Sequence, residues 1–291
     1  MSFAVITVLH NSARELAALL DSIDAHLAAR PQVICADSGS SDDGAELARA
    51  WGAEVVVMDG NPGYGAANNA ALELVREEVT VLLNPDSLLI DDGVARLARM
   101  AAARRALLAP QLLNNDRTLQ ESAHPLPGGY DAYLAALLIP RLLPTNLRNR
   151  LQPFRSQTRT EAGWAIGACM AAQTALLRQL GPFDPDEFLF AEDLDLCLRA
   201  RALAIPTIFD PSVSVVHSGA HTSERVLDQE RLDRQARRRR EVILQQLGKA
   251  ALLRDDRTQA LTFSTRAALG RDRARNKILL AALRGAQNRS S

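Results

Sequence analysis

The chain of 291 residues contains only three cysteines, Cys35, Cys169 and Cys197, far apart and in apolar settings. No Cys-x-x-Cys pair occurs, which argues against a zinc site and a disulfide framework. Aromatic residues make up 4% of the chain, and Phe263 is the only one after residue 223. That scarcity leaves the C-terminal region without the interleaved aromatics on which single-stranded nucleic acid stacks. Long apolar runs are missing too. The longest in the middle, Ala132–Pro140, is far short of the about 20 residues that a spanning helix needs. The N-terminus lacks a charged segment and a cleavage site, so it does not read as a secretory signal. There is no internal repeat and no low-complexity linker. A cytoplasmic protein is expected.

Net charge is zero, yet it is unevenly placed. Residues 224–291 hold 17 Lys and Arg against 8 Asp and Glu, a net of +9, which leaves residues 1–223 at −9. A basic tail on an acidic body suits an anionic lipid surface, a nucleic acid or the acidic body itself, or it is a solvated helical face. The acidic body and the missing aromatics weigh against nucleic acid. An apolar share of 47% is ample for a core. One large domain over 1–223, with halves 1–110 and 111–223, and a helical extension over 224–291 are expected.

Strand-like runs at Ala4–Leu9, Gln32–Ala36, Glu54–Met58 and Val79–Leu83 alternate with amphipathic helices. In the first helix Leu16, Leu19, Leu20 and Ile23 share a face, and Asn11-Ser12 are placed to cap it. The other helices are expected over Gly44–Trp51, Ala66–Val75 and Asp91–Ala103. A short strand follows at Ala106–Ala109. This order predicts a parallel α/β sheet with helices on both faces and functional loops at the carboxyl ends of its strands. Residues 111–162 read as loop with a short helix near Tyr133–Ile139. Trp164–Ala172 reads as a strand, Thr174–Leu180 and Leu194–Leu203 as helices, and Thr207–Phe209 and Val213–Val216 as short strands. Helix continues beyond Glu224.

Asp37, Asn84 and Asp86 all fall just after strands, so they should meet in one crevice. Asp37 is suited to accept a base imide N–H or to cap the next turn. Gly63 and Gly65 permit close backbone approach, and Asn68 or Asn69 is in reach of a ligand. Pro85 fixes the bend that presents Asp86. One carboxylate, the His217 imidazole and diphosphate oxygens make a shell for Mg²⁺ or Mn²⁺, provided Asp86 and His217 are close in space. The run Glu192-Asp193-Leu194-Asp195 follows apolar Phe188-Leu189-Phe190-Ala191, where carboxylates are costly unless paired, metal-bound or used for proton transfer. On a helix Asp195 is the better placed to hold Arg199 at i+4, which leaves Asp193 as the free candidate for a base. Glu192 would raise its neighbour's pKa through like charge, or only cap the helix.

Ordered blocks carry a family resemblance. They are Val5–Ser12, Ala36-Asp37-Ser38-Gly39-Ser40-Ser41-Asp42, Asn61-Pro62-Gly63-Tyr64-Gly65 through Asn69, and Leu82-Leu83-Asn84-Pro85-Asp86-Ser87. A longer block runs from Gly181-Pro182-Phe183-Asp184 through Glu192-Asp193-Leu194-Asp195-Leu196-Cys197 to Arg199, then Pro211 and His217, and Gln120-Glu121-Ser122 is a weaker marker. Together they resemble the inverting glycosyltransferases of family 2, GT-A in fold, closest to a rhamnosyltransferase-like branch. The resemblance implies Asp193 as catalytic base and Asp86 and His217 as metal ligands. It implies substrate or nucleotide contacts from Thr7, Leu9, Asn11, Asp37, Gly63, Asn68, Asn84, Asp86, Trp164, Gly167 and Glu192. The implied donor is a nucleoside-diphosphate sugar, dTDP-rhamnose or a UDP-sugar. The implied acceptor is a glycan or a polyprenyl-diphosphate-linked one, with the basic tail meeting the inner face of the membrane. A homo-oligomer is left open. The chain departs from the family at Asn84, where the first acid of Asp-x-Asp is usual, at His10 for Tyr, at Pro182 for the second Gly, and at Pro185, which is extra. A silent sugar-nucleotide-binding module is the competing reading; it has no need of Asp193 and His217.

Overall fold

Four β-branched residues in six make Ala4–Leu9 a strand (β1) that is buried along almost its whole length. The computed structural model describes residues 2–138, 143–181, 183–184, 190–219, 229–270 and 273–289. Pro182 and the stretch Pro185-Asp186-Glu187-Phe188-Leu189, which the sequence reading placed in the acidic block, lie outside the described residues. After β1 come α1 (Ala13–His26), β2 (Gln32–Asp37), α2 (Gly44–Trp51), β3 (Glu54–Val57), α3 (Tyr64–Glu73) and β4 (Val79–Leu83). The strands pair in parallel in the order β3-β2-β1-β4. β1 is covered on both faces, as parallel strands require. Val5 and Leu9 pack in the layer of α1, with Leu16, Leu19, Leu20 and Ile23. Ala4 and Ile6 pack in the opposite layer, with Ala67, Ala71 and Leu72 of α3.

The second half is not parallel. It contains β5 (Ser87–Leu89), α4 (Gly93–Ala102), β6 (Leu107–Leu113), β7 (Ala123–His124), α5 (Tyr130–Leu137), α6 (Thr145–Leu151), β8 (Thr160–Ala162), β9 (Trp164–Ala165), β10 (Cys169–Gln173), α7 (Thr174–Leu180), α8 (Glu192–Ala202) and β11 (Thr207–His217). The sheet continues β4-β10-β6-β11-β5, with β8 against β11. β10 runs antiparallel to β4 and β6, and β5 runs antiparallel to β11. β10 enters from β9 through Ile166-Gly167-Ala168. That turn also splits the expected Trp164–Ala172 strand in two. The two strands expected near 207–216 are one, β11, whose register shifts between Asp210 and Ser214, at Pro211.

Two other expectations change in detail. Ser12 occupies the position before α1 without capping it. The Ala13 N–H instead donates to Asp42 Oδ2 at 2.8 Å, and the Asn11 side chain accepts the Ser41 N–H at 2.8 Å. α8 begins at Glu192, so the acidic triplet forms its first turn.

Among the described residues three helices follow: α9 (Gln229–Leu247), α10 (Lys249–Ala268) and α11 (Arg273–Arg289). Val242 and Ile243 of α9 are fully buried with Leu194 and Leu198 of α8. Arg254 Nε donates to the Gly128 carbonyl at 2.6 Å, tying α10 to the turn before α5. Among the described residues no helix is long and apolar enough to cross a membrane.

Candidate active site

β4 stops at Leu83 and the chain turns through Asn84-Pro85-Asp86 into β5. The turn is pinned by two main-chain bonds: Asn84 N–H to the Ala168 carbonyl at 2.9 Å and Ser218 N–H to the Asp86 carbonyl at 3.0 Å. In the β5–β11 ladder His217 pairs with Ser87. Strand register therefore delivers the imidazole to Asp86, with Nε2 3.3 Å from Oδ1.

Side chains fix the orientation of that imidazole. Nδ1 lies 2.9 Å from Gln120 Oε1, an oxygen that can only accept, so Nδ1 carries the hydrogen. Tyr64 Oη–H donates to Asn84 Oδ1 at 3.3 Å, which turns the Asn84 amide nitrogen toward His217 Nε2, also at 3.3 Å. Nε2 then lies between the Asn84 amide and the Asp86 carboxylate. A carboxylate with an imidazole suits a divalent first-row metal. Among the described residues no group of three His, Cys, Asp or Glu side chains could hold a metal. A metal held by Asp86 and His217 would need its other ligands from elsewhere.

The carboxylates of α8 form the facing wall. The helix is entered through Phe190 (φ +86°) and Ala191 (φ +61°), two non-glycine residues in the left-handed region. Such conformations cost roughly 1–3 kcal/mol each and cluster at functional sites. They set the first turn of α8 against the Ile166–Ala168 turn. Asp193 Oδ2 accepts the Gly167 N–H at 3.2 Å and Oδ1 the Leu194 N–H at 2.7 Å. A Cβ at Gly167 would meet Asp193 Cβ at 3.3 Å, so this close approach favours glycine. Burial raises the pKa of Asp193, and the Gly167 and Leu194 amides partly offset it. Glu192 is pushed up to about 7 by burial and then by the charge of Asp193. Its Oε2 is buried with no hydrogen-bond partner among the described residues. At neutral pH such a pair readily keeps one proton and one charge.

Asp195 is structural. Its Oδ2 accepts Arg199 Nε–H at 2.7 Å and its Oδ1 accepts Gln246 Nε2–H at 2.9 Å. Arg199 also reaches the Leu180 and Gly181 carbonyls, so one ion pair joins the end of α7, α8 and α9.

Both walls bound one cavity of about 850 Å³. Of the residues expected from sequence, Gly63, Asn84, Asp86, Gly167, Glu192, Asp193 and His217 line it. The others stand behind or beside it. Thr7 and Leu9 are buried in β1. Asp37 is buried, and its Oδ1 accepts the Ser40 N–H at 3.0 Å, while its neighbour Ser38 reaches the cavity. Asn11 is exposed on Ser41. Asn68 is buried, donating to the Tyr64 carbonyl at 2.9 Å. Trp164 stacks on His124 at 4.3 Å and lines a separate cleft.

Sequence reasoning missed Tyr64, His10 and four arginines of α9, Arg231, Arg234, Arg237 and Arg238, as lining residues. In the sequence Arg237–Arg240 is a run of four arginines within the basic tail. Here Arg239 pairs with Asp255 and Arg240 with Asp256, α9 to α10, and Arg238 reaches Asp184 at 3.4 Å. Much of the run is therefore committed within the protein.

Comparison with known proteins gives three kinds of match. Residues 4–166, more than half of the chain, match the family model described as Glycosyl transferase family 2. The chain is 26% identical over 241 residues to N-acetylglucosaminyl-diphospho-decaprenol L-rhamnosyltransferase of Mycobacterium tuberculosis, covering 76% of this chain and 77% of that one. Among solved structures it is similar to mannosyltransferase PcManGT from Pyrobaculum calidifontis in complex with GDP-Man and Mn²⁺. That match has a TM-score of 0.63 and 19% identity, and covers 98% of this chain and 85% of that one. It is also similar to S. aureus TarS 1-349 in complex with UDP-GlcNAc, with a TM-score of 0.58 and 16% identity, covering 91% and 71%.

Proposed function

Because the chain belongs to glycosyl transferase family 2 and has the GT-A fold, we propose that it transfers a sugar, rhamnose in the first instance, from a nucleoside-diphosphate donor to a hydroxyl of a polyprenyl-diphosphate-linked glycan, with inversion. The observation that carries this reading is that Asp193 and the Asp86–His217 pair line one cavity from facing walls. A base and a diphosphate-holding site are what the reaction requires.

Asp193 takes the proton of the acceptor hydroxyl. That oxygen forms a bond to the anomeric carbon while the bond from that carbon to the diphosphate breaks on the opposite face. The raised pKa of Asp193 suits a proton acceptor working near neutrality. The Gly167 and Leu194 amides hold the carboxylate in place. Asp86 and His217 would hold Mg²⁺ or Mn²⁺, which when bound supplies charge neutralisation at the departing diphosphate. The carboxyl ends of β1–β4 offer the surface for the nucleotide, with Asp37 behind it. Rhamnose and the lipid diphosphate acceptor are supported by the 26% identical mycobacterial relative. Action on such an acceptor would bring the protein to the inner face of the membrane, and the basic residues of 224–291 are suited to that contact.

The test is a screen of nucleotide sugars for nucleoside-diphosphate release, with Mn²⁺ or Mg²⁺ and a short-chain prenyl-diphosphate-linked N-acetylglucosamine. Release with dTDP-rhamnose that depends on the acceptor is expected. No release with any donor would overturn the reading.

A further inference from the structure

α9 has two faces with different chemistry. Val242 and Ile243 bury themselves against α8. Arg231, Arg234 and Arg238 recur at helical spacing and, with Arg237, enter the wall of the cavity that holds Asp193. Arg238 is engaged with Asp184 at 3.4 Å and with Glu241 at 3.7 Å, and Arg231 lies over the Phe190 ring at 5.5 Å. Arg234 and Arg237 make no ion pair among the described residues, and both are exposed on the cavity side. Neighbouring guanidinium groups repel one another unless an anion lies between them. Their planar forks match phosphate oxygens.

The donor diphosphate is already provided for by the proposed Asp86–His217 site. The second anion in the proposed reaction belongs to the acceptor. In an acceptor whose first sugar is joined directly to a diphosphate, one sugar ring separates the reacting hydroxyl from that diphosphate. The anion must then bind close to the base. α9 packs on the helix that carries Asp193, and its Gln246 hydrogen-bonds Asp195 two residues further along.

We infer that Arg234 and Arg237 form the binding site for the diphosphate of the acceptor. This rests on the proposed function and adds to it an acceptor subsite built from the C-terminal extension. The same arginines would give the enzyme its preference for a diphosphate-linked sugar over the same sugar on a neutral aglycone.

The test is titration calorimetry on the full chain and its R234Q/R237Q variant, with folding checked by circular dichroism. The probes are N-acetylglucosaminyl-diphospho-geraniol, octyl N-acetylglucosaminide, and dTDP-rhamnose with Mn²⁺. The variant should lose about tenfold or more in affinity for the diphosphate probe, the effect of removing charge-assisted hydrogen bonds. Its affinity for the neutral glycoside and for the nucleotide sugar should not change. Equal binding of the diphosphate probe by both proteins would overturn the inference, and so would a loss that falls on dTDP-rhamnose instead. A full chain that binds the diphosphate probe through these arginines yet transfers no sugar to it would sink the proposed function and leave the subsite standing.

Discussion

His217 Nε2 and Asp86 Oδ1 stand 3.3 Å apart, brought together by the antiparallel pairing of β11 with β5. The pair exists because the strand ending in His217 returns beside the strand that starts after Asp86. If the two hold a cation on the donor diphosphate, Asp86→Ala and His217→Ala should each weaken Mn²⁺-dependent binding of the nucleotide sugar. Binding measured in EDTA should change little. Calorimetry with and without metal reads this, and an unaltered metal dependence in both variants would count against the site.

Asn84 occupies the place where the family has its first acid, and its amide is oriented by Tyr64. Asn84→Asp should tighten Mn²⁺ binding, since a second carboxylate would lie beside Asp86 and His217. Titration of Mn²⁺ followed by electron paramagnetic resonance checks it; equal or weaker affinity is the contrary result.

Glu192 gives a prediction about stability and pH. Its carboxyl is raised from an ordinary 4.5 to about 7 in the folded protein. Between those values the unfolded chain releases the proton while the folded chain keeps it. The stabilising contribution of the group is therefore complete below 4.5, shrinks as pH rises, and is gone above about 7. Glu192→Gln removes this loss. Relative to the parent, the variant should gain roughly 1–3 kcal/mol between pH 4.5 and pH 8. Urea denaturation at the two pH values measures it, and a pH-independent difference would contradict the raised pKa.

Ala191 enters α8 at φ +61°. Ala191→Gly should leave stability within about 1 kcal/mol, because relief of the left-handed strain offsets the added freedom of the unfolded chain. Ala191→Val should lose about 2 kcal/mol or more, because a β-branched residue fits that region poorly. Thermal melts of the two variants distinguish this entry from an ordinary helix start, where valine would cost far less.

The parallel half of the fold was readable because its strands are short apolar runs rich in β-branched residues and helices such as α1, and α4 just beyond that half, show a clear apolar face. β1, α2, β4 and α7 have the bounds that the sequence indicates. β5 was not readable: three residues carry no periodicity, and the strand exists through its pairing with β11. The antiparallel insertion of β10 was equally hidden, since it depends on where the Ile166–Ala168 turn points. At the site, the i,i+4 spacing of Asp195 and Arg199 correctly set that carboxylate apart. Side chains that act at long range, such as Gln120 on His217, Tyr64 on Asn84 and the α9 arginines on the cavity, leave no local pattern. The charge split did hold a trace of the last, since an acidic body was among the partners that the basic tail suited.

The most direct measurement compares Asp193→Asn with the parent protein in turnover and in nucleotide-sugar affinity. Asparagine keeps the shape and an acceptor oxygen for the Gly167 amide but cannot take a proton. Turnover should fall by about 10²–10⁴-fold, the contribution of a positioned base, while the Kd for the nucleotide sugar with Mn²⁺ stays where it was. Turnover close to that of the parent, with donor binding intact, would contradict the role of Asp193 as the base.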